Sequence, residues 1–127
     1  MRPVRQGTTH RRQRAQRRGR FAEWLCLWHL RLRDWRILAR GWRCPSGEID
    51  ILARRGSVLA VIEVKSRNEI DAAAAALTPR QRRRIARAAE AFLLSRPDLA
   101  SLDLRFDLML VAPLRFPRHW RGAWRVN

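Results

Sequence analysis

At 127 residues the chain has room for one domain built around one hydrophobic core. Its 46 % hydrophobic content sets it apart from a disordered polymer, and no stretch nears the roughly 20 apolar residues of a membrane span. A formal charge of +17 points to a polyanionic partner, nucleic acid ahead of an anionic membrane; the competing explanation is a compositional bias that writes arginine onto every solvated face.

Residues 1–20 hold eight arginines, no acid and almost no apolar side chain. Such a segment buries too little surface to offset its ordering entropy, so the sequence predicts a disordered basic arm over 1–20 and a single folded domain over 21–127. Residues 21–30 do not read as a secretory signal, because Glu23 and His29 interrupt them and Arg31 and Arg33 stand where a small-residue cleavage site belongs. Arg17-Arg18 lacks the apolar segment that a twin-arginine signal needs. Cys26 and Cys44 make no metal-binding spacing and at most one bridge, which fits a reducing cytoplasm and two small core side chains.

Phe21, Leu25, Trp28 and Leu32 recur at helical spacing and predict an amphipathic helix to about Arg33 with those side chains inward. Residues 35–42 read as a strand, and 49–53 and 58–64 as two more, both rich in branched side chains. Residues 68–77 are acidic and then alanine-rich, and their state stays open. Thr78-Pro79-Arg80-Gln81 starts a helix: threonine caps, proline suits the first helical position, and glutamine completes a capping box. Ile85, Ala88, Ala89, Phe92 and Leu93 continue its buried face to about Ser95, and Pro97 ends it. Residues 106–112 form a nearly continuous apolar run, as in a buried strand, and 113–127 leave room for one short strand more. This order implies an α/β/α fold: a central mixed sheet of four or five strands flanked by helices.

The chemistry concentrates between Gly47 and Lys65. Gly56-Ser57 is a two-residue hairpin signal, with glycine at the positive φ of a type II′ turn. Counting outward pairs Arg55 with Val58, Ala53 with Ala60, Asp50 with Glu63 and Glu48 with Lys65. Glu48, Asp50, Glu63 and Lys65 then share one face, with Ile49, Ile51, Ile62 and Val64 on the other. Directly opposed residues have β-carbons about 4.5–5.5 Å apart, so two carboxylates there repel, and magnesium or manganese would convert that repulsion into coordination. Lys65 is the only lysine beside 27 arginines, so it marks a place where a compact, titratable ammonium serves and a guanidinium does not. The competing reading is a surface salt-bridge cluster.

An acid followed by Glu-x-Lys on the next strand resembles the signature of the PD-(D/E)XK superfamily, which includes restriction endonucleases and Holliday-junction resolvases. More closely, Gly47-Glu48-Ile49-Asp50 with Ile62-Glu63-Val64-Lys65-Ser66-Arg67 resembles the YraN family of bacterial proteins. The likeness runs over roughly 19–112 and takes in Trp42-Arg43-Cys44, Thr78, Gln81-Arg82 and Arg105-Phe106-Asp107. The resemblance implies a restriction-endonuclease-like fold in which Asp50 and Glu63 hold Mg2+ or Mn2+, helped by the Val64 carbonyl, while Lys65 positions the attacking water. It also implies Glu23 as an outer-shell metal residue, the alternative being a solvated helix residue, with Glu48 beside it. Gln81 resembles a helical glutamine of some such nucleases, although the capping box already accounts for it.

Two functions follow, and a third is set beside them. One is a metal-dependent endonuclease acting on nucleic acid, DNA before RNA, on branched or repair-intermediate substrates. Arg67, Arg80, Gln81, Arg82, Arg83, Arg84 and Arg87 would line the path of the backbone, the alternative for the helix being a solvated charged face. The second is a catalytically inactive nucleic-acid-binding module on the same fold. The third, a membrane-surface or ribosome-associated basic protein, rests on residues 1–20 alone. His10, His29 and His119 form no ligand pair and receive no role; Trp120 and Trp124 are read as core packing or a homodimer contact rather than base-stacking platforms.

Overall fold

The branched residues of 49–53 and 58–64 form a hairpin at the heart of a five-stranded sheet. The computed structural model describes residues 6–125, with side chains from residue 19. Its elements run α1 (Gln6–Arg31), β1 (Arg36–Cys44), β2 (Gly47–Arg55), β3 (Val58–Ser66), α2 (Ile70–Ala75), α3 (Pro79–Ser95), a 3-10 turn (Pro97–Leu99), β4 (Asp103–Val111) and β5 (Arg118–Trp124). The strands lie in the order β1-β2-β3-β4-β5. All neighbours are antiparallel except β3 and β4, whose parallel pairing requires the crossover that α2 and α3 supply.

Both faces of the sheet are covered. Ala22, Cys26, Leu27 and Leu30 of α1 pack with Ile51, Ile62 and Met109 on one side. Ile85, Ala88, Ala89 and Phe92 of α3 pack with Leu59, Val61 and Leu108 on the other. The layering is the expected one: a mixed α/β domain, restriction-endonuclease-like in architecture. The open stretch 68–77 holds α2, and β5 is the short strand for which the tail left room. No helix among the described residues is long and apolar enough to cross a membrane.

Helix α1 departs from the expectation twice. It begins at Gln6, within the stretch read as a disordered arm; residues 1–5 lie outside the described residues. A helix already anchored by core packing extends at little cost per residue, and arginine and glutamine are good helix formers. Its inward face also differs, for Phe21, Trp28 and Leu32 are exposed while Ala22 and Cys26 are buried. From Phe21 to Leu30 the helix carries apolar side chains nearly all round. The stripe with small residues at i and i+4 lets its backbone approach the sheet closely, which bulky rings would prevent.

The start of α3 is built as read. Thr78 Oγ1 accepts from the Gln81 N–H, and Gln81 Oε1 accepts from the Thr78 N–H, both at 3.2 Å. Thr78→Ala is expected to cost about 1 kcal/mol of stability, measured by urea denaturation. Trp124 is buried against Phe106, with ring centroids 5.5 Å apart, so core packing accounts for it. Cys26 and Cys44 are both unbridged.

Candidate metal and nucleic-acid site

The β2–β3 hairpin turns at Gly56, whose φ of 60° a side chain would strain. Pairing then runs from Arg55 opposite Val58 to Ile51 opposite Ile62, in the expected register, and stops there. The anticipated pairs of Asp50 with Glu63 and Glu48 with Lys65 do not form, because β2 leaves β3 and stays with β1. The Asp50 carboxylate fills the fork: its Oδ2 accepts from the Val64 N–H at 2.8 Å, replacing the lost ladder bond.

The single shared face is therefore corrected in part. Ile51, Ile62 and Val64 do pack on the α1 side, but Ile49 belongs to the α3 side, with Trp42. Alternation breaks at Asp50, opposite Gly41, where β1 takes a φ of 56°. Asp50, Glu63 and Lys65 come together at the fork. Glu48 instead forms an ion pair with Arg43 at 3.3 Å and is exposed.

The field at the fork is unusual for carboxylates. Burial, and then the neighbouring Asp50, push Glu63 up to about 9. Burial also raises Asp50, against the opposing Val64 N–H and the hydrogen bond shared with Glu63. The pair thus keeps a proton between its oxygens at neutral pH. Lys65 Nζ stands 4.0 Å from Glu63 Oε1, while Glu63 Oε2 is buried with no hydrogen-bond partner. On α1, Glu23 is raised by burial, then by Asp50 and Glu48, with Arg40 opposing. The Cys26 thiol, pushed to about 12 by burial and then by Asp50 and Glu23, is an inert packing group.

A divalent cation would take the place of that proton, and the orphaned Oε2 is the acceptor it would satisfy. Among the described residues no group of three or more His, Cys, Asp or Glu is arranged to hold a metal. Two carboxylates nonetheless suit magnesium, which commonly binds through one or two carboxylates, water and substrate phosphate.

The arginines at 80, 82, 83, 84 and 87 lie on α3, which covers the sheet face opposite α1. Arg80, Arg83, Arg84 and Arg87 are exposed; Arg82 is half-buried, its Nε without a partner. Arg84 leans onto the β1–β2 turn, with Nε donating to the Ser46 carbonyl at 3.4 Å. The helix lies so close there that a β-carbon at Gly47 would meet the Arg84 carbonyl oxygen at 3.1 Å. Gln81 is committed to the cap, as the capping box implied, and Arg67 is exposed beyond β3.

One charged cluster escaped the sequence reading. Asp107 on β4 is fully buried beside Ile62 and receives two hydrogen bonds from Arg105, both 2.8 Å. His119 Nε2 lies 2.7 Å from its Oδ2, and the Gly122 N–H donates to Oδ1 at 2.9 Å. Burial raises Asp107, yet His119, Arg105 and Gly122 outweigh it and hold the carboxyl down at about 2. His119, given no role above, is thus part of a buried ion network. The legible signal was an aspartate inside the apolar run 106–112, since a buried acid needs partners.

Fold and site together define a mixed α/β domain with a half-buried acid pair and a lysine at the fork of two strands. Residues 22–111 match the model of "Uncharacterised protein family UPF0102", and the chain belongs to that family. It is 53 % identical over 119 residues to "UPF0102 protein amb4503" of Paramagnetospirillum magneticum, covering 91 % of this chain and 92 % of that one. A UPF0102 protein of Parvibaculum lavamentivorans is 54 % identical over 111 residues, 87 % of this chain and 84 % of the relative. One from Chelativorans sp. is 47 % identical over 116 residues, 91 % and 94 % of the two chains.

Proposed function

We propose that the protein is a metal-dependent nuclease of the PD-(D/E)XK kind, hydrolysing phosphodiester bonds in nucleic acid, DNA rather than RNA. The observation that carries this reading is the convergence of Asp50, Glu63 and Lys65 at the strand fork. Asp50 and Glu63 would hold Mg2+ or Mn2+. The Val64 N–H points into the fork, and in an extended strand a residue's C=O lies on the same side as its N–H, so the Val64 carbonyl would be a further ligand. A cation held by those residues would supply Lewis-acid chemistry, polarising a phosphodiester and lowering the pKa of a water.

Lys65 orients that water through a compact ammonium, mostly shielded by its surroundings. Glu23, facing the same acids from α1, holds water at the rim. Arg67, Arg80, Arg82, Arg83, Arg84 and Arg87 hold backbone phosphates, a contact that carries no sequence information. The reaction belongs in the cytoplasm, where the unbridged cysteines stay reduced.

The test is cleavage of linear, single-stranded and four-way-junction DNA by the purified chain with Mg2+ or Mn2+. Cleavage is expected with metal and not with chelator. Asp50→Ala and Glu63→Ala should each slow it about 100-fold or more, since bound metal supplies several kcal/mol of transition-state stabilisation, while binding persists. Steeply salt-dependent binding without cleavage under any metal would make the protein a binding module with structural acids.

A further inference from the structure

Three aromatic side chains of α1 face outward, Phe21 at 60 %, Trp24 at 51 % and Trp28 at 47 % exposure. Large apolar groups left in water beside a strongly basic surface call for an occupant. Trp24 differs from its neighbours in lining a cavity of about 380 Å³ between α1 and β1, walled also by Arg20, Glu23, Leu27, Arg40 and Gly41. That volume lies within the range of ligand-binding pockets. The ring is buttressed: Phe21 stacks on it at 6.1 Å and 20°, and Trp28 meets it edge-on at 6.1 Å.

The cavity adjoins the fork. Gly41 falls opposite Asp50 in the β1–β2 register, between Arg40 opposite Ile51 and Trp42 opposite Ile49. At Gly41 β1 itself puts no side chain between cavity and site, and the nearest atom to a β-carbon there would be Glu48 Oε1 at 3.9 Å. A platform of aromatic carbon flanked by two guanidiniums, one step from a site for a scissile phosphate, matches one chemistry closely. The ring accepts the π-face of a base, and the arginines accept the phosphates on either side of it.

We infer that this cavity seats an unpaired nucleobase stacked on Trp24, with Arg20 and Arg40 on its flanking phosphates, so that the site takes single-stranded or branch-point nucleic acid in preference to continuous duplex. A paired base offers no free face to the ring, because its neighbours in the helix already cover it. The inference rests on the nuclease reading for its orientation, but not for its test.

Binding of the full-length protein to a fluorescein-labelled oligothymidylate of about 12 nucleotides, and to a duplex of equal length, is measured by anisotropy in chelator at fixed salt. Trp24→Ala is expected to weaken single-strand binding on the order of 10-fold and duplex binding less than about 2-fold, with Trp24→Phe restoring most of the loss. Equal losses on both probes, or none, overturn the inference. So does a Trp24→Ala variant that loses binding to phosphatidylglycerol vesicles while keeping the oligonucleotide, which would mark a membrane-facing patch. Circular dichroism confirms that each variant is folded. A wild-type chain that cleaves nothing but shows the Trp24 selectivity sinks the nuclease reading alone. An active nuclease indifferent to Trp24 sinks this inference alone.

Discussion

Asp107→Ala is expected to lower folding stability by about 3–5 kcal/mol, read as a large fall in the urea midpoint at neutral pH. Among the described residues the carboxylate is the only anion holding Arg105 and His119 together, and it also satisfies the Gly122 N–H where β5 bulges against β4. Its removal leaves the Arg105 guanidinium, the His119 ring and the Gly122 N–H without their shared acceptor. The damage reaches further, because Arg105 also lies over the Trp35 ring, 5.6 Å from its centroid, with Arg55 at 4.6 Å and His119 edge-on at 5.8 Å. Asp107→Asn keeps an acceptor of the same shape but loses the charge, and should cost less.

The pH dependence gives a second measure of the same network. Asp107 is held at about 2 when folded, against an ordinary 3.8. Its contribution is fully present above the unfolded value and disappears as pH falls through the folded one. At 1.36 kcal/mol per pH unit, wild type should lose about 2.5 kcal/mol from this group between about pH 5 and pH 1. Asp107→Asn should lack that component. An alanine variant within about 1 kcal/mol of wild type would mean that the network contributes little.

Short-range signals made most of this legible. The hairpin register followed from Gly56 alone, since a two-residue turn sets every pair beyond it until something breaks the ladder. What broke it was Asp50, whose side chain took an amide that counting residues assigns to the backbone. The outcome was still a joined acid pair, because a fork can hold two side chains closer than a flat ladder does. The helix-facing errors have a different origin. Eight of the ten residues from Phe21 to Leu30 are apolar, so periodicity offered two stripes, and the choice fell to closeness of approach to the sheet, a tertiary property. Asp107 and His119 meet only because β4 and β5 pair, and twelve residues of separation hide that from any local pattern.

Glu63→Gln should weaken Mn2+ binding by about 100-fold or more, since even groups behind a metal ligand cost 10–100-fold when removed. The size of the effect follows from what occupies the fork without a cation. Glu63, raised to about 9 by burial and by Asp50, retains a proton that the unfolded chain sheds near its ordinary 4.5. Folding therefore binds a proton in that window: the pair favours the folded state most below about pH 4.5 and progressively less as pH rises toward 9. A cation reverses the penalty by supplying the charge that the shared proton supplied. Metal binding must expel the proton, so Mn2+ affinity should climb about 10-fold per pH unit between those limits, with close to one proton released per ion. Isothermal titration calorimetry at about pH 6, 7 and 8, in buffers of different ionisation enthalpy, reads both quantities without any substrate. Glu63→Gln should also be the more stable apo-protein at alkaline pH, because glutamine keeps the hydrogen-bonding shape and carries no charge to desolvate. Wild-type affinity that ignores pH, or a Glu63→Gln variant that binds Mn2+ as well as wild type, would show that the fork is a packed acid pair and nothing more.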